Sequence, residues 1–242
     1  MTPGIYTAAT TMTARAKAHE LIAQNLASAS TNGYRRLEPH FKGFGPGEYQ
    51  SDSDAAPATA GGVQLLQPVW NHAHGMLKET GRDLDFAIRG EGFFVLNGPT
   101  GRMFTRDGHF MRDKDGRLVS TSGDPVMGKR GAIILPNGEV SVKDDGSIYV
   151  DGKQVGELLV QAPSDPQKLE SAGGGLFRLL EEASVRPVKE TQISNGKLEM
   201  SNVEIPIEMV AMIENSRMYE AAQRALQMTD ANIGTTIQNL TT

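Results

Sequence analysis

The sequence predicts an α+β protein in which N- and C-terminal helices pair as a coiled coil and the central part of the chain forms an antiparallel all-β domain. Two seven-residue repeats at opposite ends of the chain predict the helices. Short apolar runs separated by Asn-Gly and Asp-Gly dipeptides predict the β domain. The 242 residues thus divide into an N-terminal helix of the coiled-coil domain (1–32), an extended linker or arm (33–75), the central β-rich domain (76–195), and a C-terminal segment with its helix (196–242).

The first helix is predicted from two interleaved rows of residues whose spacing alternates between four and three, as in a coiled-coil seam. The helix should end before Asn32-Gly33, because glycine tolerates the left-handed conformation that closes helices. Several threonines near its start are weak helix formers, so the isolated helix should be marginal in water. The rows are Ile5, Met12, His19 and Leu26, and Ala9, Ala16 and Ala23.

The arm is predicted from composition. Residues 35–75 show no helical period and contain the run GFGPGEYQSDSDAAPATAGG at 43–62, which is rich in Gly, Pro, Ser and Asp. Such a composition is typical of a linker or an extended segment that is partly flexible.

The β domain is predicted from alternation and turn chemistry. Large apolar residues at 84, 86 and 88 alternate with charged residues and Ala87, and four further apolar runs follow. Asn-Gly and Asp-Gly favour hairpin turns, which require positive φ angles. Such dipeptides occur at Asn97-Gly98, Asp107-Gly108, Asp115-Gly116, Asn137-Gly138, Asp145-Gly146 and Asp151-Gly152.

The last helix repeats the seam of the first, with a more polar second row. Its rows are Met212, Tyr219, Leu226, Ile233 and Leu240, and Asn215, Ala222, Thr229 and Thr236. Periodicity leaves two interpretations open. The two ends could pair within one molecule as a helical hairpin, or they could be loose in the monomer and become ordered against copies of the chain.

Composition argues against several classes of function. The net charge is −5 and no long basic block occurs, so nucleic acid is not an expected partner. The chain has no cysteine, which excludes disulfides and thiolate chemistry. No apolar stretch is long enough to span a membrane. The first residues lack the pattern of a secretion signal, so export would need another route.

Two short patterns resemble ligand sites, but a structural role is favoured for each. His72 and His74 could share a metal ion from one face of a strand, but no other convincing ligand is nearby. Gly90-Glu91-Gly92 precedes an apolar strand, whereas a dinucleotide fingerprint follows a strand and opens a helix. We therefore predict neither a metal nor a cofactor.

Two acidic patterns also lack the rest of a site. The run DKDG at 113–116 begins like a calcium loop but has no glutamate at the twelfth position, so a hairpin turn is favoured. Asp83 and Asp85 alternate with apolar residues and should lie on the exposed face of a strand. With no recognisable nucleophile, the sequence predicts no catalytic residue and no enzyme.

Three motifs in order along the chain resemble the axial proteins of the bacterial flagellum, namely the basal-body rod proteins and the related hook protein. Gln24 replaces an asparagine that is typical of the first motif. The motifs are IAQNLASASTNGYRR at 22–36, TGRDLDFAIRGEGFFVL at 80–96 with FTRDGHFMRDKDGRLVSTSGDPVMG at 104–128, and GKLEMSNVEIPIEMVAMIENSRMYEAAQRALQMTD at 196–230.

The resemblance implies a structural subunit of the rod that stacks helically with copies of itself and with other rod and hook proteins, and transmits torque from motor to hook. It implies passage through the flagellar type III export apparatus without a cleaved signal peptide, and a location in the periplasm-spanning rod of the basal body. The short segment between residues 36 and 75 is most like proximal rod proteins of the FlgF type. Distal rod proteins of the FlgG type remain an alternative.

The residues expected to carry this function form two groups. The coiled-coil and assembly interface comprises Ile5, Met12, Leu26, Met212, Tyr219, Leu226, Ile233 and Leu240. The junction between helices and β domain comprises Asn25, Thr31, Gly33, Ser201 and Asn202. Other interpretations are a scaffold that assists rod assembly without remaining in the rod, and a β-fold hydrolase with helical oligomerisation arms.

Overall fold

The computed structural model describes residues 3–45, 61–99, 101–165, 168–180, 184–188 and 192–240, excepting the side chains of residue 3 and residues 236–240. The chain forms two compact units. The helical unit comprises Met1–Ala27, Leu37–Asn71 and Glu204–Thr242, and the β-rich unit comprises Ser28–Arg36 and His72–Val203. Helices at both ends and antiparallel strands between them confirm the α+β class.

The helical unit contains two long helices that pack side by side and run in opposite directions. Neither helix, over the residues described, is long and apolar enough to cross a membrane. The elements of this unit are α1 (Pro3–Ala27), β1 (Leu37–Glu38), β2 (Phe41–Phe44), β3 (Gly62–Leu65), β4 (Val69–Trp70) and α2 (Ile205–Leu240). Strand β1 pairs with β4 and β2 pairs with β3, so these four strands form one antiparallel hairpin.

The threonines of α1 attach this hairpin to the helix. The Thr7 hydroxyl donates a hydrogen bond to the carbonyl of Gly61 at 2.6 Å, and the Val63 N–H donates to the Thr10 hydroxyl at 3.3 Å. These contacts give a role to residues that weaken the helix by intrinsic propensity. Most of the Gly- and Pro-rich run in the predicted arm, residues 46–60, lies outside the described residues.

The β-rich unit is built from short antiparallel strands. They are β5 (Leu77–Glu79), β6 (Phe86–Arg89), β7 (Phe93–Gly98), β8 (Gly101–Thr105), β9 (Phe110–Arg112), β10 (Leu118–Ser120), β11 (Met127–Gly128), β12 (Gly131–Ala132), β13 (Val140–Val142), β14 (Ser147–Val150), β15 (Lys153–Glu157), β16 (Val160–Pro163), β17 (Leu169–Gly173), β18 (Leu176–Leu179), β19 (Val185–Pro187), β20 (Gln192–Asn195) and β21 (Lys197–Glu199).

One six-stranded sheet, in the order β17-β18-β8-β7-β16-β19, forms the largest part of this unit. Strands β13-β14-β15 form a meander, and β5 and β6 pair with β21 and β20. Phenylalanines dominate the core: the Phe94 and Phe110 rings meet edge to face with centroids 5.2 Å apart, and Phe86 packs on Phe110 at 5.9 Å. These large buried rings belong to a continuous apolar core of the β-rich unit.

Three of the six predicted turn dipeptides lie in hairpin turns. Asp151-Gly152 joins β14 to β15 with φ angles of 49° and 76°, both positive as a type I′ turn requires. Asp115-Gly116 and Asp145-Gly146 lie in the longer loops of the β9–β10 and β13–β14 hairpins.

The hairpin prediction is wrong at the other three dipeptides. Asn97-Gly98 forms the last two residues of β7, where each pairs with a residue of β8. Asn137-Gly138 lies in the loop before β13. Gly108 is required for close approach instead, because a Cβ atom there would lie 1.6 Å from the carbonyl oxygen of Phe86.

Candidate functional site

The three sequence motifs meet inside the β-rich unit around one buried carboxylate, that of Glu199. Glu199 is 1% exposed and lies between two guanidinium groups that are each 3% exposed. Its Oε1 atom lies 2.8 Å from Arg35 Nη2, and its Oε2 atom lies 3.2 Å from Arg106 Nη1. The Gly75 N–H also donates to Oε1 at 3.1 Å. We call Arg35, Arg106 and Glu199 the buried charge cluster.

Each arginine of the cluster also binds backbone carbonyls, which holds the surrounding segments in place. Arg35 donates to the carbonyl of Ala73, and Arg106 donates to those of Ile88 and Gly90 at 3.2 and 2.6 Å. Burial lowers the pKa of both arginines, that of Arg106 to about 10, while the attraction of Glu199 opposes this change. Removing the carboxylate would leave two buried cations without their shared partner.

Gly33 fits against the cluster where no other residue could. Its φ angle is +66°, and a Cβ atom at this position would lie 2.4 Å from the backbone carbon of Arg106. Its N–H donates to the carbonyl of Glu199 at 2.8 Å. The glycine is therefore required both for its left-handed conformation and for the close approach of two chain segments.

Asn202 connects three segments by hydrogen bonds within the β-rich unit. Its Oδ1 accepts from the Arg36 N–H at 2.7 Å, its Nδ2 donates to the Ala73 carbonyl at 2.9 Å, and its own N–H donates to the Tyr34 carbonyl at 3.3 Å. Ser201 accepts a hydrogen bond from the Val203 N–H through its hydroxyl, at 3.2 Å.

Thr31 forms a local turn before this cluster. Its N–H donates to the Ser28 carbonyl at 3.0 Å, and its carbonyl accepts from the Tyr34 N–H at 3.4 Å. The structure therefore places Thr31, Gly33, Ser201 and Asn202 together in the β-rich unit, whereas Asn25 belongs to the helical unit. Their proposed role as a junction remains a prediction.

Asn25 is the fully buried polar residue of α1. Its amide pairs with the backbone of Leu37, donating to the carbonyl at 2.8 Å and accepting from the N–H at 2.9 Å. The same Nδ2 lies 3.3 Å from Oε2 of Glu208, which is also fully buried at the start of α2. This arrangement fixes the end of α1, the start of α2 and the hairpin of the helical unit to one another.

A second polar contact lies further along the helix pair. Asn215 is 5% exposed, and its Nδ2 donates to the carbonyl of Arg15 at 2.9 Å. The Arg15 guanidinium lies over the ring of Phe41 at 4.1 Å. Polar residues within a helix seam fix register at a cost in stability.

The predicted seam residues lie at half-buried positions where their side chains are described. This holds for Ile5, Met12 and Leu26 on α1 and for Met212, Tyr219, Leu226 and Ile233 on α2, while the side chain of Leu240 lies outside the described residues. Ala9, Ala16, Ala23 and His19 are exposed. The most buried residues of the pair are small or polar, apart from Ile22: Ala8, Ala14, Ala18, Ile22 and Asn25 on α1, and Glu208, Asn215 and Ala222 on α2.

Large apolar residues of α2 face solvent at its start. Ile205, Met209 and Ile213 follow one another at intervals of four and are 48%, 53% and 54% exposed. Spacing by four places them in one row on the helix surface. Val210 lies beside this row and is also exposed. We call these four residues the apolar row of α2.

Sequence reasoning missed the buried charge cluster and Glu208, although all the cluster residues stand in the motifs that it singled out. One signal was available in the sequence. Each of the three motifs contains a charged residue beside apolar or turn residues, and these residues, Arg35, Arg106 and Glu199, include both signs of charge. Among the described residues, no group of three or more His, Asp or Glu side chains could hold a metal ion.

Two family models match the chain. The model of the flagellar hook protein FlgE/F/G D1 domain matches residues 87–150, and that of the flagellar basal body rod FlgEFG protein C-terminal region matches residues 194–239. The first match covers strands of the β-rich unit, and the second covers the end of that unit and most of α2.

Curated relatives resemble the chain over most of its length. The flagellar basal-body rod protein FlgF of Caulobacter vibrioides is 30% identical over 224 aligned positions, covering 87% of this chain and 86% of the relative. FlgG of Buchnera aphidicola from Acyrthosiphon pisum is 31% identical over 258 positions, covering 95% and 96%. FlgF of Mesorhizobium japonicum is 29% identical over 244 positions, covering 99% and 98%.

Proposed function

The chain belongs to the flagellar basal-body rod protein family, and we propose that it is a structural subunit of the rod. In this proposal, copies of the chain assemble into part of the helical drive shaft that transmits torque from motor to hook. The relatives named above support it, as does the match of a rod-protein C-terminal model to α2. The function is one of assembly rather than catalysis.

The observation that carries this proposal is the distribution of apolar residues in the helical unit. The most buried side chains of α1 and α2 are small or polar, apart from Ile22, while the apolar row of α2 faces solvent. A helix normally buries its large apolar residues and exposes its polar ones. The exposure of the four residues in this row is explained if another subunit covers them in the assembled rod. Contacts of this kind between unlike surfaces generate open helical assemblies.

We propose that α1 and α2 form a coiled coil through the predicted seam. The antiparallel packing of the two helices supports this, and so does the half-burial of the predicted residues of α2 at intervals of seven from Met212 to Ile233. The segments 1–32 and 196–242 would then make up the axial coiled-coil domain, and 76–195 the central β-rich domain. Asn25, Thr31, Gly33, Ser201 and Asn202 would shape the chain where it passes from one domain to the other.

The proximal rod is the favoured position, and alignment lengths support it. The 258 positions aligned to the Buchnera FlgG include 95% of this chain, about 230 residues, so about 28 positions have no counterpart in it. The 244 positions aligned to the Mesorhizobium FlgF include 99% of the chain, about 240 residues, which leaves about 4. The chain thus has a length closer to the FlgF relative, while a distal position of the FlgG type is the alternative.

The partners follow from the same proposal. They are copies of the chain, neighbouring rod and hook proteins, and the flagellar type III export apparatus, which would carry the chain to a periplasm-spanning rod. A scaffold that assists assembly without remaining in the rod would leave purified basal bodies free of the protein. Quantifying the chain in purified basal bodies therefore separates the two roles.

The central test changes the apolar row of α2 without touching the core of either unit. Ile213→Glu should abolish swimming and remove the protein from basal bodies, because a charge cannot be buried against the next subunit. Gln223→Glu adds the same charge at an exposed position of the same helix and should swim normally. A motile Ile213→Glu strain with normal basal bodies would contradict the proposed interface.

The matched change in the seam is Leu226→Asp. It should also abolish swimming, while the β-rich unit keeps its fold because Leu226 belongs to the helical unit. Circular dichroism of the purified variant would show whether the β structure persists.

A further inference from the structure

A pocket of about 230 Å³ lies beside the buried charge cluster within the β-rich unit. Basic side chains from four separate segments line it: Arg35, Arg106, Arg186, and the two histidines at 72 and 74. Glu91 also lines the pocket and binds Arg186 at its rim. The rod function proposed above does not make use of this concave, basic surface.

The charges around the pocket do not balance. Among the described residues, Arg35, Arg106 and Arg186 face two carboxylates, Glu199 and Glu91, so one positive charge remains even with neutral histidines. The Nε atoms of Arg35 and Arg106 are buried and have no hydrogen-bond partner among these residues. Buried donors without acceptors are costly, and an anionic oxygen is the acceptor that guanidinium groups bind best.

The histidine pair fits an anion better than a metal ion. Burial lowers the pKa of His72, and the nearby charges of Arg35 and Arg106 lower it further. Burial and Arg106 also lower the pKa of His74, against the opposing attraction of Glu199. A positive potential that resists protonation of imidazole resists a divalent cation for the same reason. The His-x-His spacing by itself suggests a metal site, but the positive charges around these two histidines favour an anion instead.

We propose that this pocket binds a compact oxyanion, a carboxylate or a phosphate- or sulfate-like group. The group would accept hydrogen bonds from the arginines and from protonated His72 or His74, and would neutralise the excess charge. Such a group has two possible sources, a free inorganic ion or the acidic side chain of another copy of the chain. The proposal does not depend on the place of the chain in the rod.

The test uses inorganic sulfate, whose charge is constant over the pH range in which histidines titrate. Proton NMR would follow the imidazole signals of His72 and His74 in sulfate and in chloride at equal ionic strength. Sulfate should raise the pKa of both by about one unit, because a nearby anion favours the charged imidazolium. His19 and His40 belong to the helical unit and serve as internal controls that should not respond.

Two variants of the rim give opposite expectations. Arg186→Gln should weaken sulfate binding at least tenfold, and Glu91→Gln should strengthen it severalfold by removing a competing carboxylate. Arg178→Gln is the matched control, because Arg178 is 51% exposed and paired with Glu170, as Arg186 is 53% exposed and paired with Glu91. The control should bind sulfate like the unchanged chain.

The second arm separates the two sources of the anion. If another copy supplies the carboxylate, raising the chain concentration without sulfate should raise the pKa of the same two histidines, and saturating sulfate should make that pKa independent of chain concentration. A response to sulfate without a concentration dependence would identify a free ion. The proposal fails if sulfate and chloride give identical titrations at every chain concentration, or if Arg186→Gln responds like Arg178→Gln.

Discussion

The two units of this chain bury different kinds of side chain. In the β-rich unit, Phe86, Phe94 and Phe110 are fully buried in a continuous apolar core. In the helical unit, the most buried positions of the helix pair are held mostly by alanines and by Asn25, Glu208 and Asn215. One unit therefore has a core of large apolar side chains, whereas the helix pair of the other buries mainly small and polar side chains and leaves large apolar residues exposed.

This difference in buried side chains predicts a difference in stability between the two units. A core of large rings contributes several kcal/mol per residue on burial, whereas alanine contributes little. The helical unit is therefore expected to be the less stable of the two in an isolated subunit, and to gain stability when neighbours cover its exposed residues. Three experiments test this difference in stability between the two units.

The largest effect is expected from Glu199→Gln in the β-rich unit. The change leaves the guanidinium groups of Arg35 and Arg106 buried without a negative partner, so the free energy of unfolding should fall by about 3–5 kcal/mol. Urea denaturation followed by circular dichroism measures this loss. Glu170→Gln, which breaks the exposed pair with Arg178, should change the stability by less than about 1 kcal/mol. Equal losses for the two variants would show that the buried cluster does not stabilise the unit.

Hydrogen exchange in the isolated subunit tests the comparison directly. Amide protons of β7 and β8 should exchange only through global unfolding of the β-rich unit, whereas those of α1 and α2 should open locally and exchange about 100-fold faster or more. Mass spectrometry of the peptides gives both rates in one sample. Equal protection in the two units would mean that the helices are already fully stable without neighbours, and the argument from incomplete helices to assembly would fail.

A smaller effect is expected from Asn25→Ala in the helical unit. The change leaves the backbone N–H and carbonyl of Leu37 without their side-chain partner, at a cost of about 2 kcal/mol. Trp70 is the single tryptophan of the chain and is buried in this unit, so its fluorescence reports unfolding there. Gln24→Ala alters the exposed neighbouring residue. It should change the free energy of unfolding, measured by the same fluorescence, by less than about 0.5 kcal/mol.

The sequence predicted elements whose signal is local and missed features that depend on distant partners. Asp151-Gly152 forms the expected turn because the turn geometry depends on these two residues alone. Asp107-Gly108 has the same local chemistry, but its glycine is needed for contact with Phe86, which is distant in the sequence. A dipeptide signal does not distinguish these two uses of glycine.

The helices show the same limit. On α2 the large residues that repeat every seven positions from Met212 to Ile233 are half-buried, as the repeat predicts. C-terminal to the apolar row, the opposite side of the helix carries mainly polar residues, so the repeat identifies the buried side. On α1 alanines occur on several faces, so the repeat alone does not single out Ala8, Ala14 and Ala18 as the most buried. The buried charge cluster was missed because charged residues are normally exposed, and their pairing requires three motifs to meet.

The buried charge cluster also has a consequence for the time course of folding. Arg106 and Glu199 are 93 positions apart, and Arg36 and Asn202 are 166 apart. Contacts over such separations close large loops and form slowly. A chain that is delivered from its N-terminus cannot complete the β-rich unit until Glu199 and Asn202 have emerged. The last fifth of the polypeptide therefore determines when the segment around Arg36, in the first fifth, acquires its native contacts.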